Sequence, residues 1–142
     1  MPEYGLIGQK QYDEVMALYK REGYGGGLAP GDVVVGARID DSLVGAVRLA
    51  TEYEFLVLRG MYVQKEFQRQ GIGRGLLGAT AIEIGQRECW CIPYAHLRSF
   101  YMLAGFVERP SEAAPRFLME RLKEYARSGR QVIIMRRTEI NP

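Results

Sequence analysis

The apolar positions of this chain recur with two periods. Tyr12, Val15, Met16 and Tyr19 stand at helical spacing and predict an amphipathic helix over residues 11–21, ended by Gly25, Gly26 and Gly27. A short strand over residues 3–9 precedes it. Beyond Pro30 and Gly31 the period falls to two. Residues 33–39 are short and β-branched, Asp40, Asp41 and Ser42 supply turn chemistry, and residues 43–50 alternate as the other arm of a hairpin. Residues 55–63 give a fourth strand, with Val57, Arg59, Met61 and Val63 expected on one face and Leu56, Leu58 and Tyr62 on the other. Gly60 interrupts it, and a glycine inside a strand marks a bulge or a close backbone approach.

The second half alternates helix and strand. Leu77, Ala81 and Ile84, with Leu76 and Thr80 beside them, predict a helix over residues 76–86 that Gly85 weakens. Residues 88–92 read as a fifth strand stopped by Pro93, and residues 95–103 as a helix with Gly105 at its C-cap. Residues 106–108 and 131–136 give strands six and seven. Between them residues 114–127 form a helical pattern with Leu118, Leu122 and Tyr125 on one face. Its expected role is packing on its own domain; a cover for a substrate or a dimer contact is the alternative. The glycine-rich stretch at 25–31 reads first as a plain connector and second as a flap over a binding site.

Composition narrows the class without naming it. The chain of 142 residues, 47% hydrophobic and 25% charged, suits one domain over residues 1–142 with one core, and excludes disordered and collagen-like proteins. A net charge of +2 is too small to imply a nucleic-acid or membrane partner, although Arg127, Arg130, Arg136 and Arg137 make the end of the chain locally basic. No apolar run approaches the ~20 residues of a membrane span and no secretory pattern opens the sequence, so the expected location is the cytoplasm. Cys89 and Cys91 flank Trp90 and would share one strand face, a spacing that predicts buried thiols over a disulfide. With one histidine and no CxxC pair or HExxH, no metal site is expected.

The stretch with the most chemistry is QRQGIGRG, residues 68–75, between a strand and a helix. Gly71, Gly73 and Gly75 allow close backbone approach, and N–H groups converging where a helix begins favour an anion. Arg69 and Arg74 add charge able to reach phosphate oxygens. Two common phosphate fingerprints fail here. GxGxxG lacks its third glycine at Leu76, and the P-loop lacks its Lys and Ser/Thr after Gly75. What fits is QxxGxG at Gln68, Gly71 and Gly73, which resembles the pyrophosphate loop of the GNAT superfamily of acyl-CoA-dependent N-acetyltransferases. FYMLAGF at residues 100–106 is similar to a later helix signature of that family, Tyr-x-x-x-Gly-Phe. The resemblance is good over residues 33–107 and loose at both ends.

The resemblance implies an α/β (α+β) fold. Its single domain is built on a mixed, mostly antiparallel sheet of six to seven strands flanked by helices and splayed between strands four and five. It implies acetyl-CoA as acyl donor and a small-molecule or peptide amine as acceptor, joined by direct attack in a ternary complex, with no metal, nucleic acid or membrane and with the protein a monomer or homodimer. Met61, Tyr62 and Val63 would meet the pantetheine arm, and Gln68, Arg69, Gln70, Gly71, Ile72, Gly73 and Arg74 the pyrophosphate. Tyr94 stands where relatives place an asparagine that holds the arm. Tyr101 would protonate the leaving sulfur. The glutamate that serves as base in the histone-type branch falls on Val57, so no base carries over; Glu54 and His96 are the expected substitutes, with Glu52 and Tyr62 also near in the sequence. The missing base keeps open a second reading, an inactive acyl-CoA sensor or interaction domain. A nucleotide-binding module is a third.

Overall fold

A computed structural model describes residues 1–138. The chain divides into two compact units, residues 1–84 and the residues from 85 onward.

The first unit runs β1 (Glu3–Ile7), α1 (Tyr12–Arg21), β2 (Val33–Ile39), β3 (Ser42–Glu52), β4 (Phe55–Val63) and α2 (Ile72–Ile84). Its strands lie in the order β1-β2-β3-β4, each antiparallel to the next. Of the stripe foreseen on α1, Val15 and Tyr19 are buried against Ile7, Val34, Leu43 and Ala46 and Tyr12 packs beside them, but Met16 is exposed and Leu18 takes the buried place. The α2 stripe, Leu76, Leu77, Thr80 and Ile84, is also buried, and α2 packs on β2 and β3. A Cβ on Gly45 would lie 3.4 Å from Leu76 and 3.5 Å from Val63. Val63 therefore faces α2, while Ala46, the next residue of β3, faces α1.

Three details depart from the sequence reading. β3 continues to Glu52, because the hairpin closes in a two-residue turn whose Tyr53 and Glu54 both take positive φ, 48° and 71°. α2 starts at Ile72, so Gly73 and Gly75 lie inside the helix. A Cβ on Gly75 would fall 2.2 Å from the Tyr4 ring. That glycine admits β1's tyrosine, not a ligand.

The third departure is in β4. Ala46 pairs with Tyr62 but Arg48 pairs with Arg59, so one residue of β3 faces two of β4. Gly60, with φ 61°, takes the bulge, and a bulge inverts the alternation beyond it. Tyr62 consequently joins Val57 and Arg59 on the α1 face, against the expected split; Val63 goes to the other side.

The second unit contains β5 (Cys89–Cys91), α3 (Arg98–Met102), β6 (Val107–Arg109), α4 (Arg116–Arg127) and β7 (Ile134–Arg137), with β7 between β5 and β6 and antiparallel to both. Seven strands are thus described in all, four and three. Cys89 and Cys91 are buried free thiols, as expected, and burial together with the neighbouring Cys89 raises the Cys91 pKa. Arg136 sits over the Trp90 ring at 5.5 Å, and Trp90 Nε1 donates to Glu88 Oε1 at 2.8 Å. Burial works against the Glu88 charge, but the Arg136 and Trp90 hydrogen bonds prevail and hold its pKa below the usual value. On α4 Leu118 is buried and Leu122 and Tyr125 are half-buried. Among the described residues no helix is long and apolar enough to cross a membrane.

Candidate active site

The turn after β4 is held by its backbone and by amide side chains. Gln64 N–H donates to Val44 O at 2.7 Å, and Gln68 Nε2 donates to Val63 O at 2.9 Å, tying the turn to the end of the strand. Gln70 Nε2 donates to Glu66 O at 3.3 Å. Arg69 and Gly71 then take positive φ, 65° and 81°, and reverse the chain into α2. The first α-helical bond is Gly75 N–H to Gly71 O at 3.0 Å. The N–H groups of Ile72, Gly73 and Arg74 precede it, and among the described residues no backbone carbonyl accepts from them. Ile72 is buried and anchors the helix start, while Arg69, Gln70, Gly71 and Arg74 are exposed around it. Nothing lies within 4 Å of a Cβ built on Gly71. Open space, unengaged N–H groups at a helix start and two exposed guanidinium groups fit a pyrophosphate. The turn thus brings together the pyrophosphate residues expected from the sequence.

The α1 face of β3 and β4 is built from side chains. Arg48 is a charge in an otherwise apolar run, and its partner lies in the glycine-rich segment. Its Nη1 lies 2.9 Å from Asp32 Oδ2, with side-chain exposures of 4% and 2%. Asp32 also accepts from Ala29 N–H at 2.9 Å, and Tyr24 Oη accepts from Arg48 Nε and Nη2 at 3.2 and 2.8 Å. Burial opposes the Arg48 charge; the bonds to Tyr24 and Asp32 outweigh it and raise the pKa. A Cβ on Gly26 would fall 2.1 Å from Tyr24 Oη, so the chain curls onto its own phenol. The segment read first as a plain connector is fastened to the sheet. Tyr24 meets Tyr19 edge-on at 4.7 Å and Tyr62 at 5.2 Å, forming a wall of three tyrosines. A Cβ on Gly60 would strike Tyr24 at 2.8 Å and Tyr19 Oη at 2.9 Å, so this bulge requires glycine twice over. Tyr19 Oη is buried with no hydrogen-bond partner, and burial pushes its pKa well up, leaving a neutral phenol. Sequence reading missed Tyr24, Asp32 and Arg48 as a unit; the buried-charge signal was Arg48 within the apolar strand.

The remaining expected residues fall as follows. Met61, Tyr62 and Val63 follow the bulge and are half-buried. Glu54 is exposed at the tip of the β3–β4 turn, about 20 Å along the strand from Gly60, and does not come together with the bulge. In the second unit Tyr94 and His96 stack at 5.8 Å and are exposed. Tyr101, on α3, is 6% exposed and contacts Phe100 and Phe106 edge-on at 5.2 and 6.0 Å. The Gly-Phe of its motif closes the helix, with Gly105 at φ 90° and Phe106 N–H donating to Tyr101 O at 3.3 Å.

A strand with a glycine bulge thus runs into a turn that opens a helix on unengaged N–H groups, in an α+β protein. Comparison with known proteins gives the family. The Acetyltransferase (GNAT) domain matches residues 30–108, more than half of the chain, and the chain belongs to that family. Solved structures agree in fold. The ribosomal-protein-alanine N-acetyltransferase of Escherichia coli is similar with a TM-score of 0.71 at 16% identity, over 100% of this chain and 97% of that one. Escherichia coli ElaA gives 0.68 at 15% identity, over 96% and 99%. The PaiA N-acetyltransferase of Thermoplasma acidophilum, solved with coenzyme A, gives 0.62 at 15%, over 97% and 99%. No curated protein matches in sequence.

Proposed function

We propose that this protein transfers an acetyl group from acetyl-CoA to a primary amine by direct attack in a ternary complex, its two units acting as one domain. The observation that supports this most is the turn at 68–74, where Gln68 is tied to Val63, Arg69 and Gly71 are left-handed, and three N–H groups open α2. Bound acetyl-CoA supplies a thioester whose carbonyl carbon accepts an amine. The protein's residues bind, orient and move protons. N–H groups of Ile72, Gly73 and Arg74 receive the pyrophosphate, with Arg69 and Arg74 neutralising its charge and Gln70 beside them as an amide donor. Backbone groups of Met61 and Val63, beside Tyr62, align the pantetheine arm. Tyr101 donates a proton to the leaving sulfur. We place the protein in the cytoplasm as a monomer or homodimer.

The test is thiol release from acetyl-CoA in the presence of a panel of amines, with product masses read in parallel. Acetylated amine in proportion to thiol is expected. A folded protein that binds acetyl-CoA and acetylates nothing would instead be the sensor domain.

A further inference from the structure

Where β3 and β4 form the α1 face of the first unit, two ion pairs stand side by side, and they differ. Register places Arg48, Ala50 and Glu52 of β3 opposite Arg59, Val57 and Phe55 of β4, so all six side chains share that face with Tyr62. Arg48 and Arg59 are therefore directly opposed like charges, each answered by a carboxylate. The Arg48–Asp32 pair is sealed at 2.9 Å. The other, Arg59 Nη1 to Glu52 Oε2, is 3.5 Å long and keeps side-chain exposures of 25% and 19%. Glu52 faces Phe55 and Arg59 faces Arg48, about 13 Å apart along the strand, so the two side chains reach toward each other across the Ala50–Val57 pair. Glu52 stands opposite Phe55, about 16 Å along the strand from Gly60, and the ion pair turns its carboxylate toward that end. On the same face, nearer the bulge, Tyr24 and Tyr62 pack ring against ring at 5.2 Å, and the Tyr24 ring already carries a cation, the Arg48 guanidinium at 5.8 Å.

We propose that Glu52 is the carboxylate that binds the acceptor's ammonium group and takes its proton, with Arg59 positioning it; this rests on the acetyltransfer reading above. The acceptor class is then an alkylamine that enters as an ammonium ion. The nitrogen gives one proton to Glu52, which passes it to water. As the N–C bond forms and the C–S bond breaks, the nitrogen loses a second proton and the sulfur gains one. Amide, thiol and one released proton balance. The charged and titratable groups on Glu52's side of the sheet include Arg38 of β2, Arg48 and Arg59 of β3 and β4, Asp32 and Tyr24 from the glycine-rich segment, Tyr12, Glu14 and Tyr19 from α1, and Tyr62 from β4.

The experiment compares wild type, Glu52→Gln and Glu52→Asp at pH 7 on two acceptors, an ordinary alkylamine and a weakly basic fluorinated ethylamine that is already neutral. Acetyl-CoA affinity and melting temperature are measured alongside. General base catalysis is worth about 10²- to 10⁴-fold, so Glu52→Gln should lose that much kcat/KM on the alkylamine, at least tenfold less on the neutral amine, and no acetyl-CoA affinity. Glu52→Asp should retain more than Glu52→Gln. Equal losses on both amines, or a Glu52→Gln enzyme within threefold of wild type, overturn the proposal. A wild type that binds acetyl-CoA and acetylates neither amine overturns the acetyltransfer reading, and this one with it.

Discussion

The turn at 64–71 and the face that β3 and β4 present to α1 meet at the end of one strand, yet they hold their shapes by different means. The turn uses backbone: left-handed residues, a glutamine clamped to a carbonyl, and N–H groups at a helix start. The face uses side chains that are far apart in sequence, with Asp32 and Tyr24 brought to Arg48, and Arg59 to Glu52. A backbone site needs only a few small residues at fixed spacing. A side-chain site needs the register of two strands, the hand of a bulge and the path of a loop. The first tolerates change in most of its side chains and fails at a glycine; the second fails at any partner.

If the backbone region binds the donor while side chains handle protons, Tyr101→Phe touches only the second task. Its ring packing stays and its proton donor goes. The expected result is a kcat lower by about 10²- to 10⁴-fold with acetyl-CoA affinity little changed, measured by steady-state kinetics and calorimetric titration. Wild-type kcat on every acetylated amine would make this tyrosine a packing residue.

Asp32→Ala attacks the face alone. It leaves the buried Arg48 guanidinium without its carboxylate, which typically costs about 3–5 kcal/mol, and urea unfolding should show a loss of that size. The folded fraction should still bind CoA, because no atom of the turn at 64–71 is involved. A loss below 1 kcal/mol would mean that water reaches Arg48.

What the sequence made legible divides along the same line. QxxGxG and the Gly-Phe after Tyr101 were readable because Gly71 and Gly105 each answer a local backbone demand, a left-handed φ at a helix end. The order of strands and helices was readable from periodicity. The faces of β4 were not, since Gly60 announces a bulge but not which residues it inverts, and Tyr62 was placed on the wrong side. Gly75 was read as part of the cradle because nothing local reveals that Tyr4, from the first strand, lies against it. Glu54 looked close to the end of β4 in sequence, but it sits exposed in the hairpin turn, whereas Glu52, two residues earlier, is held on the sheet face by Arg59.

Gly60→Ala probes the seam between the two regions. A left-handed φ costs an L-residue about 1–2 kcal/mol, and here the added methyl also meets the Tyr19 and Tyr24 rings. Thermal unfolding should register at least that loss. The smallest effect expected is from Tyr19→Phe. Its hydroxyl is buried without a partner, so removing it should leave stability unchanged or raise it by about 1 kcal/mol. A clear destabilisation would reveal a bound water or ligand on that oxygen.

The backbone cradle for CoA is tested most directly by calorimetric titration of wild type and Gly71→Val with CoA and desulfo-CoA. Gly71 has open space around it, so the variant should fold, but φ of 81° is closed to valine and the turn must reshape. The expected result is that wild type binds both ligands with similar affinity, because the turn reads phosphate, and that the variant binds neither. A wild type that gives no heat with millimolar CoA, or a variant that binds as tightly as wild type, would contradict it.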